Sequence, residues 1–170
     1  MKKIAFLLLL VVMAANGYSQ SMADLDREPS FKGITIGAPI SKYSNILKYN
    51  GVRNGKNTYT ITDQQYYSIF NIKMKEAVVV ESEGKVWAIV LGKSNGAEVF
   101  NPKELEVLRT SLTAKYGSPN VDLTDISGSP SVAGFRWQAN NIVLDITYLF
   151  HGTMEGSDLR YYLHQRKDDY

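Results

Sequence analysis

Phe135-Arg136-Trp137-Gln138-Ala139-Asn140-Asn141-Ile142-Val143-Leu144-Asp145-Ile146 is the stretch on which the fold turns. Apolar and polar residues alternate on both sides of Asn140-Asn141, the period of a half-buried strand. Taking the two asparagines as a tight turn with positive φ angles places Trp137 opposite Leu144 and Phe135 opposite Ile146. On the other face it places Arg136 opposite Asp145. Two apolar pairs and one opposite-charge pair agree on a single register, and a slip of one residue breaks all three. The chain therefore contains an antiparallel hairpin with one face for a core.

Downstream, Leu159, Tyr161 and Leu163 alternate as a further strand. Upstream stands a helix with both ends marked. Asn101 is a cap, Pro102 the first helical residue, and Glu104 reaches back from the third position. Leu105, Leu108, Leu112 and Tyr116 form one stripe; Gly117 and Pro119 end it. Residues 118–131 read as a polar loop. Ala77 to Leu91 reads as a second hairpin around Glu83-Gly84, with Val80 opposite Trp87, Val79 opposite Ala88 and Val78 opposite Ile89. Both its faces are apolar, which predicts a central position with cover on each side and core packing for Trp87 as for Trp137.

The first third is less regular. Phe31 to Ile36 reads as a strand broken by Gly37-Ala38-Pro39, and Ile40, Tyr43 and Leu47 recur at the spacing of a short helix that ends at Asn50-Gly51. Residues 50–57 are turn chemistry. Tyr59/Ile61 and Phe70/Ile72/Met74 mark two more strands. The order is helix, about three strands, helix, about three strands, with halves near 34–92 and 99–165. It predicts an α+β fold, an antiparallel sheet with two helices on one face, built from a duplicated α-β-β-β unit.

Lys2 and Lys3 precede an apolar run of twelve residues, Ile4 to Ala15, followed by Asn16-Gly17-Tyr18-Ser19. This is the pattern of a secretory signal peptide, 1–19; the run is short of the roughly 20 residues that span a bilayer. Residues 20–30 read as a flexible lead-in, 31–165 as one domain and 166–170 as a frayed tail. The chain has no cysteine, which closes disulfide and lipid-anchor chemistry. Two of its 19 basic residues lie in the leader, leaving 17 against 17 acidic ones, so net charge offers no argument for nucleic acid. The expectation is a periplasmic or secreted bacterial protein with no membrane span after processing and an open oligomeric state.

Candidate chemistry is sparse. Gly51-Val52-Arg53-Asn54-Gly55-Lys56 is one residue short of a phosphate loop, and Asn57 stands where Ser or Thr must hold magnesium. Asp122, Asp125 and Gly128 lack the alternating ligands of a calcium loop. Zinc needs three or four convergent ligands; His151 with Glu155 and Asp158 is the candidate set for a metal or a small hydrolase, and a plain turn explains it as well. No serine sits in Gly-x-Ser-x-Gly. No cofactor is implied. Adjacent aromatics in a strand point to opposite faces, so Tyr67 of Tyr66-Tyr67 and Tyr162 of Tyr161-Tyr162 are the candidate binding residues, because exposed tyrosines favour protein or glycan contact.

Leu112-Thr113-Ala114-Lys115-Tyr116-Gly117-Ser118-Pro119, then a strand bearing Trp137, then Ile142-Val143-Leu144, resembles an element of small exported bacterial domains of unknown function. The likeness covers about residues 76–150. It implies an α+β fold and export, and no activity. The helix-then-strands order is also similar to β-lactamase-inhibitor-like folds and to small lipoproteins of outer-membrane assembly, whose lipid-bearing cysteine this chain lacks. Three functions compete: a non-enzymatic module binding an envelope or extracellular protein or glycan; a hydrolase using His151 with Glu155 or Asp158; and an inhibitor of an extracellular hydrolase presenting loop 50–57 or 118–131.

Overall fold

An eight-stranded antiparallel sheet is completed by bringing the last strand of the chain into its middle. A computed structural model describes residues 21–94, 102–124, 132–150 and 157–166. The chain runs through α1 (Met22–Arg27), β1 (Ser30–Phe31), β2 (Ile34–Thr35), a 3-10 turn at Ile40–Tyr43, β3 (Leu47–Arg53) and β4 (Lys56–Ile61). A second 3-10 turn (Gln64–Tyr66), β5 (Ser68–Ile69), β6 (Ile72–Lys73), β7 (Glu76–Ser82) and β8 (Lys85–Ser94) follow. Then come α2 (Pro102–Tyr116), β9 (Val121–Asp122), β10 (Val132–Gln138), β11 (Ile142–Phe150) and β12 (Ser157–Gln165). The sheet order is β3-β4-β7-β8-β12-β11-β10-β9, with β1-β2 and β5-β6 as separate two-stranded ribbons. The class is sheet-rich α+β.

The β10–β11 hairpin has the register its alternation demands: Trp137 pairs with Leu144, Phe135 with Ile146 and Arg136 with Asp145. Its turn differs from expectation, because neither Asn140 nor Asn141 has a positive φ. Instead the Asp26 carboxylate accepts from the backbone N–H groups of Asn140, Asn141 and Ile142, each at 3.0 Å. The other four tight turns do use paired positive φ angles: Lys32-Gly33, Asn54-Gly55, Phe70-Asn71 and Glu83-Gly84, which match the twist of the strands they join. Two of these turns split segments that alternation alone reads as single strands. Phe31 to Ile36 folds back on itself at Lys32-Gly33, and Phe70 is the corner between β5 and β6.

Two helices are displaced from expectation. The spacing Ile40/Tyr43/Leu47 yields only the 3-10 turn, and the chain is extended again at Leu47. The tyrosine explains the early stop: its hydroxyl accepts from the Thr35 N–H at 2.9 Å, which pins the turn to β2. The polar stretch expected to be an irregular lead-in is helical over Met22–Arg27. Ser21-x-x-Asp24 closes its first turn, the Ser21 N–H donating to Asp24 at 2.9 Å, and Leu25 is fully buried. By contrast α2 ends as read, with Gly117 at φ +81 and its N–H donating to Thr113 O at 2.9 Å. Asn101 and the tail beyond Arg166 lie outside the described residues, as does the leader.

The β7–β8 register also needs correction. Ser82 pairs with Lys85 and Glu81 with Val86, but Val80 then pairs with Ala88, Val79 with Ile89 and Val78 with Val90. Trp87 is the extra residue of a β-bulge. Past it, Ile89 and Leu91 join Val79 and Ala77 in the core, all fully buried. Val78, Val80 and Val90 face the other side and are only half-buried, so the expected cover on both faces is absent among the described residues.

One face of the sheet supplies Trp137, Leu144, Ile146, Tyr148, Leu159 and Leu163 to a core shared with Leu108 and Leu112 of α2, Leu25 of α1 and the ribbon residues Phe31, Ile34, Ile69 and Ile72. Trp137 is fully buried, and its Nε1–H donates to Gly117 O at 2.8 Å, which ties the hairpin to the end of α2. Each such large apolar side chain contributes roughly 1.5–3 kcal/mol on burial.

Candidate functional site

The face of the sheet opposite Trp137 and Leu144 carries the only linked array of rings and charges that the registers assemble from five strands, among the described residues. The Trp87 bulge starts it by turning the indole to this face. Lys56 of β4 sets its Nζ 4.8 Å from the Trp87 ring centre and 3.2 Å from Ser82 Oγ. On β12, Tyr162 pairs with Val90 and His164 with Ala88, which brings both rings to the bulge. Trp87 lies 6.3 Å from Tyr162 and 5.7 Å from His164, centre to centre. Tyr162 and His164 stack at 4.2 Å.

On the far side of these rings, Asp145 of β11 pairs with Tyr162 across the strand boundary. Its carboxylate is gripped by Arg136 of β10, which donates from Nε at 2.7 Å and from Nη2 at 2.9 Å. This two-pronged geometry is the strong form of the carboxylate–guanidinium contact. Burial works against ionised Asp145, but the hydrogen bonds from Arg136, with the nearby His164 adding to them, outweigh it and hold the carboxyl below the usual aspartate range. Asp145 in return raises the Arg136 guanidinium. Tyr162 is pushed up to about 12, first by burial and then by the Asp145 charge.

His164 has one ring nitrogen engaged and the other turned to Asp145. Nδ1 lies 2.7 Å from Gln165 O; a carbonyl only accepts, so Nδ1 carries a proton. Nε2 faces Asp145 Oδ2 at 3.9 Å, too long for a hydrogen bond. Nucleophilic catalysis needs a histidine nitrogen on the attacking hydroxyl and a carboxylate behind it. Here a carbonyl takes Nδ1, and Nε2 faces the carboxylate itself.

The residues singled out from sequence scatter. His151 and Glu155 lie outside the described residues. Asp158 is on β12 opposite Leu149 and Ser94 and takes an ion pair from Arg160 at 3.3 Å. Tyr67 is half-buried against the core, and its hydroxyl donates to Ile61 O at 2.7 Å. Tyr162 is part of the array. Asp122 accepts from the Thr124 N–H at 2.9 Å, closing a turn, while Asp125 and Gly128 are outside the described residues. Among the described residues no three His, Asp or Glu side chains converge as metal ligands, and no helix is long and apolar enough to cross a membrane. A pocket of about 200 Å³ lies beside the Asp26-capped turn, lined by Ile36, Asn140, Asn141, Ile142, Gln165 and Arg166; its polar turn amides are already taken by Asp26.

His164 and Trp87 were not legible as site residues. The available signal was phase: Tyr162 and His164 alternate with the core residues Tyr161 and Leu163, as Arg136 and Asp145 alternate with Trp137 and Leu144. No protein-family model matches this chain, and no curated protein or solved structure matches it.

Proposed function

We propose that the protein is an exported, non-enzymatic binding module of the cell envelope or exterior that engages a protein or glycan through the sheet face bearing Trp87 and Tyr162. The observation that carries this reading is the array itself: Lys56, Trp87, Tyr162, His164, Asp145 and Arg136 are joined side by side, with Nδ1 of its one histidine held by a backbone carbonyl. Rings held against one another between fixed charges offer contact area at low entropic cost. Export rests on the Lys2-Lys3 leader and its twelve-residue apolar run. A duplicated origin is also proposed, since β3, β4, β7 and β8 precede β9 to β12 in the chain and each set of four delivers its last strand to the centre of the sheet.

Tryptophan emission tests the binding reading. The chain has two tryptophans; Trp137 is sealed in the core and Trp87 is partly exposed. Titration with fractionated envelope proteins and glycans is expected to shift the emission with one fraction, and Trp87→Phe to abolish the shift. If no fraction moves it and none is retained by the immobilised protein, the reading fails.

A further inference from the structure

We infer that the outer edge of β3 is a docking edge for an extended acidic segment of a partner protein, which adds to the sheet as a ninth strand. The site is separate from the array on the sheet face and does not depend on it.

The sheet has two ends. At one, β9 is two residues long, Val121–Asp122; at the other, β3 is seven, Leu47–Arg53. β3 pairs with β4 alone, so its outer row of backbone groups has no sheet partner among the described residues. Of the large apolar side chains that stand exposed in the described residues, two belong to this one strand, Tyr49 at 56% and Val52 at 60%. The Tyr49 ring is braced edge-on against Tyr59 at 5.5 Å, which fixes its position while leaving over half its surface open. An edge of this kind is a template for strand addition, main-chain bonds supplying affinity and alternate side chains specificity.

Charge selects the occupant. β3 carries Lys48 and Arg53, both exposed, and no carboxylate. A second copy is disfavoured: antiparallel pairing of β3 with itself about the Asn50–Gly51 bond sets Lys48 of one chain beside Arg53 of the other, and like charges across strands repel. The bulge at Asn50, between Tyr49 and Gly51, interrupts a flat self-pairing run in the same way. A strand with Asp or Glu at alternate positions meets Lys48 and Arg53 with the opposite sign and lays its apolar positions along Tyr49 and Val52.

The test is selection from a displayed library of random nonapeptides on the folded protein, followed by hydrogen exchange of the protein with the enriched peptide. The expected result is enrichment of alternating apolar and acidic residues, slowed amide exchange confined to Leu47–Arg53, and at least tenfold weaker binding to the Lys48→Glu/Arg53→Glu variant. Both substitutions are exposed, and circular dichroism is expected to show the variant folded. Enriched peptides without carboxylates, protection elsewhere, equal binding by the folded variant, no enrichment, or self-association through β3 would each overturn the inference.

Discussion

Arg136 and Asp145 stand directly opposite one another on β10 and β11 and meet through two hydrogen bonds, at 2.7 and 2.9 Å, on the face away from Trp137. Asp145 is nearly buried, and the stacked rings of Tyr162 and His164 close over the side away from Arg136. The pair is thus the hinge between the polar array and the register of the hairpin beneath it.

Removing one member leaves the other stranded. Arg136→Ala strips a buried carboxylate of its two charge-assisted donors, and the expected loss is about 2–3 kcal/mol of unfolding free energy. Replacing both residues by leucine is expected to recover much of that loss. Urea unfolding of the single and double variants measures both.

The same carboxylate sets an acid limit. Its folded pKa is lowered, so its contribution is complete above the ordinary aspartate value of about 3.9 and is lost as pH falls from there through the folded value. Unfolding free energy is expected to decline below about pH 4 in the natural protein and to decline less steeply in Asp145→Asn.

Tyr162 sets an alkaline one. Its folded pKa is raised to about 12, so the neutral phenol stabilises the fold fully below its unfolded value of about 10, and that contribution disappears as pH climbs through the folded one. Tyr162→Phe is expected to remove one tyrosinate absorbance step near 12 and to soften the stability loss from about pH 10 upward.

Asp26 links the first helix to a turn more than a hundred residues away in sequence, accepting three backbone N–H groups at 3.0 Å. Asp26→Ala is expected to cost about 1–3 kcal/mol, and to speed amide exchange at Asn140, Asn141 and Ile142 first.

Gly134 leaves no room for a side chain: a Cβ there would meet Ile146 O at 2.3 Å. The contact is with backbone, which cannot swing aside, so Gly134→Ala is expected to part β10 from β11 locally and to lower the melting temperature by several degrees, a cost of about 1–3 kcal/mol.

What could be read from the residues depended on how many signals met at one place. Three cross-strand pairs converged on the register of Trp137 and Leu144, and a cap, a stripe and Gly117 converged on α2. The turn at Glu83-Gly84 was legible, but the Trp87 bulge behind it was not, because one inserted residue changes the phase of a strand without changing its composition. Ile40, Tyr43 and Leu47 have helical spacing, yet a single hydrogen bond from Thr35 to Tyr43 ends the helix. Arg136 and Asp145 were visible as a pair. Tyr162 and His164 join them only through the register of β12, which the segment 151–156 does not specify.

The position of β12 has a consequence for timing. β12 follows the other seven strands of the sheet in sequence yet is wedged between β8 and β11, so the two half-sheets share no ladder until it is made. The β8–β12 ladder that joins the halves links residues far apart in the chain, the kind of contact that slows folding. A nascent polypeptide of this design stays uncommitted until β12 arrives. Were the chain exported, as proposed above, that delayed closure would keep it thin enough for a translocation channel.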